Sequence, residues 1–78
     1  MVTKSKKKRI PLQKVIWCKI RYWQNLNDIS DEELADYLGC SERTLRNYDN
    51  NPSNVTLKTI DTFLFVTDMT LADFLSVA

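Results

Sequence analysis

Residues 31–48, Asp-Glu-Glu-Leu-Ala-Asp-Tyr-Leu-Gly-Cys-Ser-Glu-Arg-Thr-Leu-Arg-Asn-Tyr, leave this chain little choice of fold: they spell two short helices joined by a glycine turn. Leu34 and Leu38, four apart, line one face of the first helix. Ala35 beside them is small enough for a second helix to approach closely. Gly39 supplies the left-handed conformation that ends the first helix. Cys40 is a small apolar plug in the turn, and the Ser41 hydroxyl caps the second helix. Leu45 and Tyr48, three apart, face back onto Leu34 and Ala35. Upstream, Ser30 with Glu33 three residues on fits a capping box, and Asp31, Glu32 and Glu33 favour the first turn through the helix dipole. Helix initiation accounts for this acidic triplet better than a catalytic or metal-binding role, for which the chain offers no partner residues.

Around this motif the remaining residues read as helix as well. Pro11 suits a first helical turn. A helix over 12–26 is expected to bury Leu12, Ile16, Ile20 and Trp23, with Val15 and Cys18 widening the stripe and Trp17 and Tyr22 off it. The motif helices cover about 31–38 and 42–49. Asn50-Asn51-Pro52-Ser53-Asn54 is a turn cluster. Thr56 caps a fourth helix, 57–66, burying Leu57, Ile60, Phe63 and Leu64. Thr70 with Asp73 opens a last short helix burying Leu71, Phe74 and Leu75. With one glycine and two prolines in 78 residues, such long helices and short links suit an all-α domain better than a turn-rich β fold.

Composition narrows the chemistry. The chain contains no histidine, and its two cysteines, Cys18 and Cys40, lack metal-ligand spacing, so no zinc site, no cofactor and no nucleophilic machinery is expected. No enzymatic activity and no small-molecule substrate is expected on the same grounds. Both cysteines are expected as reduced core thiols of a cytoplasmic protein. No secretory leader and no membrane contact is expected, since Ile10-Pro11-Leu12-Gln13-Lys14 is too polar for a signal core and the apolar runs fall short of the ~18 residues a span needs.

The net charge of +1 conceals an asymmetry. Lys4, Lys6, Lys7, Lys8 and Arg9 hold five of the eleven basic residues, which leaves residues 10–78 at −4. Residues 1–9 therefore read as a flexible basic arm, and 10–78 as the folded domain.

A glycine-turn motif of this kind serves mainly to present its second helix to a DNA major groove. At ~100° per residue, Arg43, Arg46, Asn47 and Asn50 share the side of that helix opposite Leu45 and Tyr48, with Glu42 and Thr44 at the two edges. Arginine suits guanine O6 and N7, asparagine suits adenine, and a carboxylate accepts from cytosine N4. The alternative is a solvated face of ordinary charges. Lys6, Lys7, Lys8 and Arg9 fit an arm along the phosphate backbone, or equally a solubilising terminus. Ser53 to Thr56 offer hydroxyls and amides to a phosphate, although capping accounts for them almost as well. Trp17, Tyr22 and Phe65 either merge into one broad buried face or mark a protein contact.

Ile29-Ser30-Asp31-Glu32-Glu33-Leu34-Ala35, Leu38-Gly39-Cys40-Ser41, Arg43 to Asp49, Pro52, Leu57, Ile60, Leu64 and Leu71 to Leu75 together resemble the Cro/CI-type (XRE) helix-turn-helix family of phage and plasmid repressors. The resemblance implies a compact five-helix, lambda-repressor-like domain that binds double-stranded DNA, commonly as a homodimer on palindromic sites. It also implies an arginine of the first helix paired with the acid at the end of the third; Arg21 and Asp49 occupy those places. Asp31 departs from the family, which usually has a phosphate-contacting glutamine there, and the link between the first two helices is longer than usual. Two functions follow: a transcriptional regulator from a phage or mobile element, or a modulator of the same fold that binds a partner repressor. Arg43, Arg46, Asn47 and the basic arm favour the first, Asp31 and the acidic body the second.

Overall fold

A computed structural model describes residues 10–76. Among these, five α-helices and one 3-10 turn follow in order: α1 (Leu12–Leu26), α2 (Asp31–Leu38), α3 (Glu42–Asn50), the turn Pro52–Asn54, α4 (Leu57–Thr67) and α5 (Leu71–Leu75), with no strand. The expected boundaries hold to within a residue, and the reason is local chemistry at the helix ends. Ser30 accepts from the Glu33 amide while Glu33 reaches back to the Ser30 amide, closing the capping box. Ser41 accepts from the Thr44 amide, Thr56 from that of Thr59, and Thr70 pairs reciprocally with Asp73. Gly39 ends α2 at φ 70°, the left-handed region in which a Cβ is penalised.

α2 packs against both α3 and α4, and the 3-10 turn joins α3 to α1. Ile16, Trp17, Ile20, Leu34, Ala35, Leu38, Leu45, Val55, Phe63 and Phe74 form the core. Aromatic rings carry much of it: Phe63 meets Trp23 edge-on at 5.1 Å and Phe74 at 5.6 Å. Lys19 Nζ donates to the Leu75 carbonyl at 3.4 Å, tying α1 to the end of α5.

Several expected core positions are corrected. Leu12 is 65% exposed: it keeps register with Ile16 but lies a turn beyond the packed part of α1. Trp17, expected off the stripe, is only 3% exposed. α3 and the 3-10 turn cover that flank of α1, so the buried arc runs from Trp23 through Ile20 to Trp17. Cys18 lies beyond the arc and is exposed, while Cys40 is half-buried, which pushes its thiol pKa up. Leu57 lies about 120° round α4 from Phe63 and is solvent-exposed. In the five-residue α5 only Phe74 is buried; Leu71 and Leu75 flank it in solvent. Val55, placed within no expected stripe, closes the core after the turn.

Candidate nucleic-acid interface

α3 is held from behind at three points. Leu45 is fully buried. Tyr48 meets Trp17 edge-on, with ring centroids 5.0 Å apart, and its hydroxyl lies 3.4 Å from Thr59 Oγ1. Asp49 receives three hydrogen bonds: Trp17 Nε1 donates to Oδ1 at 2.7 Å, Arg21 Nε to Oδ1 at 3.1 Å and Arg21 Nη2 to Oδ2 at 2.7 Å. The pairing of Arg21 with Asp49 implied by the family resemblance is thus present as a two-pronged contact, the strong geometry for guanidinium and carboxylate.

The opposite edge of the same guanidinium has a second set of partners. Nη1 donates to Gln24 Oε1 at 2.7 Å and to Asp31 Oδ1 at 2.9 Å. Gln24 Nε2 in turn donates to Asp31 Oδ1 at 2.8 Å and to the Ile29 carbonyl at 3.1 Å. Arg21 also lies over the Trp17 ring, 5.3 Å from its centroid. Its hydrogen bonds to Asp49, and then those to Asp31, outweigh partial burial and raise the arginine pKa. Gln24 first and Arg21 second hold the Asp31 carboxyl below its ordinary range; Arg21 does so for Asp49. Asp31 is therefore more than a helix initiator. Arg21 offsets its charge in part, since the same guanidinium also pairs with Asp49.

This anchoring turns the other side of α3 outward. Glu42, Arg43, Arg46, Asn47 and Asn50 are all exposed, and neither Arg43 nor Arg46 has an ion pair among the described residues. Thr44 is half-buried on the flank, with its hydroxyl 3.1 Å from Ser41 Oγ, where it serves the helix cap. Lys6, Lys7, Lys8 and Arg9 lie outside the described residues. Of the aromatic side chains weighed as a contact surface, Trp17 belongs to the core, whereas Tyr22 and Phe65 are exposed.

Sequence reasoning missed Gln24, the one buried polar side chain among the described residues, and the part played by the Trp17 indole. The available signal was spacing: Ile16, Ile20 and Gln24 are four apart and continue one stripe. No group of side chains that could hold a metal ion occurs among the described residues, and no helix there is long and apolar enough to cross a membrane.

The family model described as Cro/C1-type HTH DNA-binding domain matches residues 19–78. No curated protein and no solved structure matches the chain.

Proposed function

The chain belongs to the Cro/C1-type helix-turn-helix DNA-binding family, and on that premise we propose that it is a cytoplasmic, sequence-specific regulator of transcription, of phage or mobile-element origin, acting as a repressor. Domains of this family bind double-stranded DNA. Here α3 enters the major groove; Arg43, Arg46, Asn47 and Asn50 read base edges, and Glu42 and Thr44 sit at the margins. One observation carries this reading: two arginines without an ion pair among the described residues, and two asparagines, project from a helix whose other side is locked to the core. An arginine with no internal partner keeps all five donors for a ligand. The basic residues Lys6, Lys7, Lys8 and Arg9 follow the phosphate backbone as an arm, and the protein acts as a homodimer on a two-fold symmetric site.

A titration of duplex DNA at several salt concentrations tests the proposal. Affinity is expected to fall steeply with salt, because each neutralised phosphate releases a condensed counterion. Deleting residues 1–9 should make that slope shallower and weaken all sequences alike; an unchanged slope removes the arm from the account. The acidic charge of residues 10–78 and the 84% exposure of Phe65 favour a second reading, a modulator that docks on a partner repressor. That reading requires no DNA binding at about 50 mM salt together with stable capture of a repressor, lost on substitution of Tyr22 or Phe65.

A further inference from the structure

Gln24 is remote from the outward face of α3, yet every polar atom of its side chain is committed. Its two amide hydrogens go to the Ile29 carbonyl and Asp31, and its oxygen accepts from Arg21. Its backbone carbonyl also accepts from the Ile29 amide at 3.0 Å, so Gln24 grips both sides of the link between α1 and α2. An apolar side chain of similar volume would fill the space without the cost of burying an amide. What the amide adds is direction. Gln24 and Asp31 fix one edge of the rigid, planar Arg21 guanidinium, and its other edge then dictates where the Asp49 carboxylate must lie.

Asp49 is a lever on α3. It stands four residues beyond the buried pivot Leu45, or about 6 Å along the helix axis, so a 1 Å displacement there tilts the helix by about 10°. Productive site geometry is held to about 10–20°, so such a tilt lies at the limit of what base reading tolerates. We propose that Gln24 is a positioning residue for DNA recognition: through Arg21 and Asp31 it sets the tilt at which α3 presents Arg43, Asn47 and Asn50. The inference rests on α3 being the reading helix, and it assigns a specificity-determining role to a residue that touches no DNA.

The test compares the parent with Gln24→Met and with Asp31→Ala, an exposed position where the Ser30–Glu33 cap survives. Affinities are measured for a duplex selected from a randomised pool and for a scrambled duplex of equal length, at a temperature where each variant is folded. Gln24→Met should lower the ratio of selected to scrambled affinity by about tenfold and Asp31→Ala by about threefold, within the range for members of one hydrogen-bonded network. A purely structural role lowers the melting temperature and leaves that ratio unchanged, which would overturn the proposal. Independently of DNA, the Trp17 indole proton bonded to Asp49 should shift and exchange about tenfold faster in Gln24→Met, with the Trp23 indole as reference for general loosening. An unmoved Trp17 signal in either folded variant would also refute the coupling. Should the parent itself fail to distinguish the two duplexes, base reading by α3 is wrong, whereas the indole measurement still decides whether Gln24 controls Asp49.

Discussion

Replacing Asp49 by alanine removes the acceptor shared by Trp17 and Arg21, and the cost can be worked out from the burial of each donor. Trp17 is 3% exposed, and its indole N–H, 2.7 Å from Oδ1, would lose its protein partner in a part-buried position. An unsatisfied buried donor costs about 1–3 kcal/mol. The Arg21–Asp49 ion pair adds less, because the two side chains are 23% and 43% exposed and solvent screens them; about 0.5–1 kcal/mol is appropriate. Together these give about 1.5–4 kcal/mol, or a fall in melting temperature of about 6–30 °C for a domain of this size. Asp49→Asn keeps an oxygen for the indole and should cost only the smaller, ionic part. Asp31→Ala should resemble Asp49→Asn, since Arg21 retains Asp49 and Gln24. Thermal unfolding followed by far-ultraviolet circular dichroism separates the three variants. If Asp49→Ala proves no more destabilising than Asp49→Asn, the indole hydrogen bond is not what pins α3 and the reasoning fails.

The fully buried Leu45 should lose about 2–5 kcal/mol on truncation to alanine, measured by guanidinium unfolding; a loss below 1 kcal/mol would contradict the core described above. Acid should weaken the fold in a defined window. Asp31 and Asp49 titrate lower when folded than their ordinary value near 3.8, so their contribution is complete above that pH and is lost as pH falls through the lowered values. Stability of the parent should therefore decline below about pH 4, and the decline should be shallower in Asp49→Asn.

Much of the fold was legible because its signals are local. Ser30 with Glu33, Gly39, Ser41, Thr56 and Thr70 with Asp73 each announce a helix end through contacts spanning three or four residues, and each behaves as its chemistry requires. Burial was less legible. A helical stripe tells which residues share a face, not where the neighbouring helix stops. Leu12, Leu57, Leu71 and Leu75 are apolar and correctly spaced, but no described residue covers them. Trp17 shows the reverse: α3 and the 3-10 turn widen the buried arc of α1 beyond any single stripe. At the candidate site, the outward residues of α3 followed from periodicity and the Arg21–Asp49 pair from family resemblance. The rest of the cluster was harder to read because Gln24, in step with Ile16 and Ile20 near the end of α1, is polar, whereas a buried stripe is read from its apolar members. Asp31 was hidden for a different reason: helix initiation already accounted for it.

The central claim is that α3 reads bases, and Arg43→Ala tests it most directly. Arg43 is exposed and has no ion pair among the described residues, so its removal leaves the core untouched and any change in binding belongs to the interface. Binding of the parent and the variant should be measured on the selected duplex and on its scrambled counterpart at the same salt concentration. A loss of about 1–3 kcal/mol on the selected duplex, with little change on the scrambled one, is the expected result. An equal loss on both duplexes would reduce Arg43 to a phosphate contact, and no loss on either would remove α3 from the interface.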